Sequence, residues 1–135
     1  MVCSYCQSRT QVTNSRLQKQ QNTVWRRRRC LQCGAVVTTE EVVRYDNAFR
    51  LRRPSGALEP FSRDKLLLSL HASLAHRQTA IDDAAALCAT IIGQVLASTP
   101  QAAVIDLATL REVAATCLSR YDEAAATHYR AYHLS

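Results

Sequence analysis

Two pairs of cysteines constrain this chain more than any other feature. Cys3 and Cys6 are separated by two residues, Cys30 and Cys33 likewise, and 23 residues lie between the pairs. Two such knuckles can present four thiolates to one tetrahedral Zn²⁺. A lone Cys-x-x-Cys is also the motif of redox dithiols, but those open a helix in an α/β domain, and neither pair here has that setting. Gly34, directly after the second pair, suits the tight turn of a knuckle. Apolar residues are sparse around the pairs: Val2, Val12, Leu17, Val24, Leu31, Val36 and Val37. So few side chains cannot hold a module together, so metal binding is expected to supply its folding free energy. Cys88 and Cys117 stand alone in alanine- and leucine-rich sequence and read as buried apolar thiols.

Residues 10–17, 23–29 and 35–43 read as three short strands of a zinc ribbon. Arg26, Arg27, Arg28 and Arg29 run directly into Cys30, and residues 9–29 hold seven basic side chains and no acidic one. Alternation along a strand would send Arg26 and Arg28 to one face, Arg27 and Arg29 to the other. Four thiolates on Zn²⁺ carry a formal charge of roughly −2, which offsets only part of this. The remainder calls for an outside polyanion. Nucleic-acid phosphate is the common one, and arginine also suits guanine edges in the major groove. Arg16, Arg26, Arg27, Arg28 and Arg29 are therefore the DNA-binding candidates. The imbalance is local: residues 1–46 hold eight Lys/Arg against three Asp/Glu, whereas residues 47–135 hold nine against eight.

Composition changes near residue 46, which divides the chain into a ribbon over residues 1–45 and a second domain over 46–135. Pro54-Ser55-Gly56 is a turn signal between residues 48–51 and 57–61, and predicts a β-hairpin whose Pro60-bearing strand lies at an edge. Ser62 is a good cap for a helix over 63–75. Thr79-Ala80-Ile81-Asp82 resembles a capping box for a helix to about residue 97. Ser98-Thr99-Pro100 breaks the chain, Asp106 can cap a third helix to 118, and residues 122–134 read as a fourth. The fold class is α+β: a three-stranded ribbon, then a hairpin with about four helices. His71, His76, His128 and His133 lie in helical segments away from any cysteine pair and read as surface or interface residues. There is no Ser/His/Asp triad, glycine-rich phosphate loop or paired-carboxylate site, so an enzyme is not expected. No apolar run approaches the roughly 20 residues of a membrane helix, and the polar start lacks a secretory signal, so a cytoplasmic protein without a membrane partner is expected.

This order of motifs resembles the NrdR family, bacterial repressors of ribonucleotide reductase genes that join a zinc ribbon to an ATP-cone domain. The resemblance rests on Cys3-x2-Cys6, Ser15-Arg16-Leu17, Arg26-Arg27-Arg28, Cys30-x2-Cys33-Gly34 and Thr38-Thr39 with Glu41. In the second domain it rests on Gly56-x2-Glu59-Pro60-Phe61-x3-Lys65-Leu66. It implies a nucleoid-associated homo-oligomer whose ribbon binds double-stranded promoter boxes of reductase genes. It also implies that ATP or dATP binds the cone, with Arg52, Arg53, Glu59 and Lys65 as the nucleotide-binding candidates. The chain departs from the family pattern at Trp25, Arg29, Val36-Val37, Arg53, Pro54-Ser55, Ala126 and His128, and lacks the family's acidic tail, so it reads as a divergent, C-terminally short member. An alternative function for the same features is a ribbon that binds RNA polymerase or RNA, with a helical protein-contact domain that no longer binds nucleotide.

Overall fold

The computed structural model describes residues 1–133, Asn47 by its backbone alone. The chain forms two compact units, Met1–Arg44 and a second from Tyr45 onward.

In the first unit β1 (Thr10–Gln18), β2 (Thr23–Cys30) and β3 (Val36–Glu41) form an antiparallel sheet in the order β1-β2-β3. Threonine, valine and Trp25 suit the pleated surface. Asn22 takes a left-handed conformation (φ 51°) in the β1–β2 turn, which asparagine tolerates. A bulge between Val12 and Asn14 shifts the β1–β2 register, and the Thr13 hydroxyl donates to the Arg27 carbonyl there (3.2 Å). The third strand is shorter than the expected 35–43. Cys3 and Cys30 are the buried hydrophobic residues of this unit among those described. It therefore has no apolar core apart from its cysteine cluster.

In the second unit, a 3₁₀ turn (Tyr45–Asn47) leads into β4 (Arg50–Arg52), β5 (Leu58–Pro60), α1 (Arg63–Ser73), α2 (Ala80–Ser98), β6 (Val104–Asp106), α3 (Leu107–Tyr121) and α4 (Glu123–His133). The β4–β5 hairpin turns at Gly56, whose φ of 85° favours glycine, and Pro60 lies on an edge strand as expected. The hairpin is not the whole sheet. β6 pairs in parallel with β4, giving the order β5-β4-β6. Three residues carry too little periodicity to read as a strand; Val104–Asp106 becomes one through partners some fifty residues earlier, Arg50 with Val104 and Leu51 with Ile105. Leu51, Ile105, Phe49, Phe61, Leu66, Leu70, Ile91, Val95 and Leu118 belong to one buried core. Phe49 and Phe61 pack with ring centroids 4.7 Å apart.

Helix ends show where local signals were overridden. Ser62 caps α1 as expected, accepting the Lys65 amide (3.3 Å). The capping box at Thr79 does not form: the Thr79 hydroxyl donates to Asp83 (2.6 Å), a carboxylate that also accepts from Arg77 (2.9 Å). Asp106 precedes α3 but makes no side-chain cap, because its carboxylate pairs with Arg52 (3.4 Å). Asp122 instead caps α4, accepting the Ala125 amide (3.0 Å). Helix α4 ends at His133 within the described residues, and Leu134, the expected last helical residue, lies outside them. Contrary to the sequence expectation, α2 is long and apolar enough by composition to cross a membrane. Its Ala84, Cys88, Ile91, Ile92 and Val95 are packed in the core, so its apolar character is that of a central core helix.

Candidate functional site

The ribbon's knuckles share one geometry. In each, the residue after the second cysteine is left-handed (Gln7, φ 62°; Gly34, φ 73°). In each, the first cysteine's amide donates to the carbonyl five residues on: Cys3 to Ser8 and Cys30 to Ala35, both 2.8 Å. This folds both sulfurs of a knuckle towards one point. The four Sγ atoms all lie within 4.8 Å of one another, with Cys3–Cys33 at 3.6 Å and Cys6–Cys30 at 3.4 Å. A tetrahedron with Zn–S bonds of about 2.3 Å has edges of about 3.8 Å, so the cluster fits one zinc ion. Backbone amides turn inward as well: Tyr5 donates to Cys3 Sγ, and Gln32 and Cys33 to Cys30 Sγ, each at 3.4 Å.

These donors favour thiolate. Hydrogen bonds from Ser8 bring Cys6 down to about 6, and the amides of Cys33 and Gln32 lower Cys30. At Cys33 the Ala35 amide pulls the same way, but the sulfurs of Cys30, Cys6 and Cys3 outweigh it and the thiol is pushed up to about 12. Four sulfurs this close cannot all carry charge without a cation among them. The donor set therefore fits zinc, which would supply that charge and fold the module. Among the described residues, no other group of three or more His, Cys, Asp or Glu side chains converges in this way. Cys88 and Cys117 are buried away from any such cluster, and desolvation raises both thiols, as expected of inert core cysteines.

The arginine strand β2 is the centre of the sheet, and its register sorts the arginines. Arg26 faces Thr39 and reaches Glu41 (2.5 Å), and Arg28 donates to the Thr39 hydroxyl (3.3 Å). Arg27 and Arg29 alternate to the opposite face and are exposed. Trp25 shares their face and stands opposite Arg16 of β1. Arg16, Arg27 and Arg29 make no ion pair among the described residues. The five candidate DNA-binding residues thus divide into three unpaired cations on one face and two partnered ones on the other.

In the second unit a cavity of about 240 Å³ opens beneath the sheet. Glu59, Lys65, Ser69, Arg111, Tyr129 and His133 line it along with apolar residues of β4, α1 and α3. Of the four nucleotide-binding candidates it therefore holds Glu59 and Lys65. Arg53 contacts the cavity only through Glu59, whose Oε2 accepts from its Nε and Nη2 (2.9 and 2.6 Å). That bond, reinforced by charge from Arg53, Lys65 and Arg111, holds the Glu59 carboxyl below its ordinary value. Arg52 is not among the lining residues. Sequence reasoning missed Arg111, Tyr129 and His133. They come from α3 and α4, more than forty positions from the hairpin, and no local motif marks them. His133 stacks on Tyr129 (centroids 4.4 Å), and burial, with Arg111 and His128 nearby, lowers its pKa. Two other histidines hold contacts between elements: His76 meets Asp122 at 2.9 Å, and His128 Nδ1 lies 3.2 Å from Ser73 Oγ.

Residues 1–41 match the family described as transcriptional repressor NrdR-like, N-terminal domain. The transcriptional repressor NrdR of Bartonella henselae is 42% identical over 83 residues, 61% of this chain and 50% of that protein. Its namesake in Opitutus terrae is 36% identical over 93 residues, 68% of this chain and 60% of that one. The Psychrobacter arcticus protein is 39% identical over 92 residues, covering 67% and 60%. The chain spans half to three-fifths of the length of these relatives. Alignments this long exceed the first unit, so the similarity continues into the second.

Proposed function

We propose that the chain is a member of the NrdR family, to which its ribbon and its relatives are similar, and that it is a zinc-dependent, DNA-binding transcriptional repressor and not an enzyme. Its targets are promoter boxes of ribonucleotide reductase genes, and its ligands are ATP and dATP. The observation that carries the reading is the ribbon's Arg16, Arg27 and Arg29 face, unpaired and exposed on a sheet nucleated by four cysteines. Unpaired guanidinium groups on a rigid sheet suit phosphate oxygens and guanine edges. Arg26, held by Glu41, and Arg28, held by Thr39, position the strand and add to its field.

The cavity of the second unit is the nucleotide site in this reading. Lys65 faces phosphate from the first turn of α1, where unsatisfied backbone amides also favour anions. Glu59 fixes Arg53 beside it and accepts from a base or ribose donor. One ribbon is a small reader. Oligomers that place two ribbons on a two-box operator raise the effective concentration of the second. A nucleotide that shifts the oligomer then shifts DNA affinity, and DNA must shift nucleotide affinity by the same factor. A repressor of this kind acts in the cytoplasm, on the nucleoid.

Fluorescence anisotropy with zinc-loaded protein tests the proposal. The probes are DNA from upstream of the host's reductase genes and a shuffled control, each without nucleotide, with ATP and with dATP. Preference for the upstream DNA that changes with nucleotide is expected. Equal, salt-sensitive binding to both DNAs would refute operator recognition and reduce the arginine face to a general polyanion site. Preference that ignores nucleotide would refute the sensor.

A further inference from the structure

We infer that Arg111 is the anion-selecting side chain of the cavity and makes the site demand a phosphate on its ligand. This rests on the nucleotide reading above and concerns a residue of α3 that no motif singles out. Arg53 gives two hydrogen bonds to Glu59, and Arg52 pairs with Asp106. Both hairpin arginines therefore already have carboxylates. Lys65 and Arg111 line the cavity and make no ion pair among the described residues. Glu59, the one carboxylate in the lining, is engaged by Arg53. The cavity wall is left with surplus positive charge, and a neutral ligand would leave exposed Lys65 and half-buried Arg111 to share the one carboxylate that Arg53 already holds.

Of the two cations, Arg111 is the better phosphate reader. Its planar fork can grip two oxygens at once, whereas an ammonium acts as a point charge. It also sits among the residues that shape the cavity. Buried Tyr129 and half-buried His133 stack on each other, and Arg111 lies close enough to influence both. The aromatic pair is an uncharged wall for a base or sugar, and Arg111 is the charge next to it. At about 240 Å³ the cavity is smaller than most small-molecule sites.

Titration calorimetry on the zinc-loaded full chain tests this with ATP, adenosine and inorganic tripolyphosphate. The variants are Arg111→Gln and Arg111→Lys. The wild type is expected to prefer ATP to adenosine. Arg111→Gln should weaken ATP and tripolyphosphate by about tenfold or more, the loss of a charge-assisted hydrogen bond, and leave adenosine unchanged. Arg111→Lys, which keeps the charge but not the fork, should lose severalfold; it serves as the test if the glutamine variant fails to fold. ATP affinity unchanged in the variants would overturn the role of Arg111 while leaving the nucleotide reading intact. Tripolyphosphate binding that is lost in Arg111→Gln, with no added affinity for ATP, would retire the nucleotide reading and keep Arg111 as an anion site. A wild type that binds neither phosphate compound would overturn both.

Discussion

Removing zinc is predicted to unfold the first unit and leave the second folded. The buried hydrophobic residues of the ribbon among those described are Cys3 and Cys30, both of them ligands, whereas Phe61, Leu70, Leu74 and Ile91 anchor a core in the second unit. Structural zinc contributes about 10–16 kcal/mol to small modules of this kind, at least as much as the about 5–15 kcal/mol by which whole domains are stable. Without the metal nothing comparable is left to offset chain entropy over Met1–Arg44. Chelation at neutral pH, followed by hydrogen–deuterium exchange on the full chain, reads both units in one sample. The β2 amides, paired on both sides in the sheet, should exchange like an unfolded peptide, while α1 and α3 keep their protection. Added zinc should restore the β2 pattern. Cys30→Ser should behave like the chelated protein, because it removes a buried sulfur that gathers the Gln32 and Cys33 amides. A metal-free chain that still protected β2 would refute the reasoning, since the sheet would then be held by something other than its cysteines.

Other outcomes follow from particular contacts. Alanine at Arg27 or Arg29 should each reduce the salt slope of DNA binding by about 0.9, with a smaller reduction for Arg26→Ala, whose guanidinium is already held by Glu41; equal slopes for all three, measured by anisotropy across a potassium chloride series, would contradict the sorting of the faces. Asp122 is held at about 2 by the Ala125 amide, His76 and Arg77, below an unfolded value of about 3.9. Its contribution to stability is therefore complete above about pH 4 and lost as pH falls towards 2, and Asp122→Asn should flatten that acid limb in thermal melts from pH 2 to 5. Leu70 is fully buried, so Leu70→Ala should cost the second unit about 2–5 kcal/mol in urea unfolding. A cost well under 1 kcal/mol would mean that the core collapses around the missing side chain.

The readability of this sequence depended on range. The cysteine spacing, the Ser62 cap and the Pro54-Ser55-Gly56 turn are each decided within a few residues, and the structure contains the cluster, the cap and the hairpin. The strand β6 was not legible, because Val104–Asp106 owes its conformation to β4. The missed caps have the same cause. Thr79 and Asp106 have the chemistry of caps, but Asp83 and Arg52 compete for their side chains. Of the cavity lining, Glu59 and Lys65 were singled out by the family resemblance of the hairpin-to-helix segment, whereas Arg111, Tyr129 and His133 arrive from helices whose packing no local pattern reports.

What separates the proposed ligand-binding cations from the structural ones in this chain is the lack of a counter-charge, and sequence alone does not reveal it. The chain carries 17 Lys/Arg against 11 Asp/Glu, so some cations must go without a carboxylate. The structure places the carboxylates with care. Glu41 goes to Arg26, Asp106 to Arg52, Glu59 to Arg53, Asp83 and Asp122 to Arg77, and Glu123 to Arg130. Surface pairs of this kind add little stability, so their main effect is to choose which cations stay unsatisfied. In the ribbon those include Arg16, Arg27 and Arg29, spread along one face of a rigid sheet, an arrangement suited to an extended polyanion. In the second unit they include Lys65 and Arg111, gathered around one cavity, an arrangement suited to a compact anion. The same surplus of charge is thus divided between two arrangements of different shape, and the fold assigns each cation by where it places the acids.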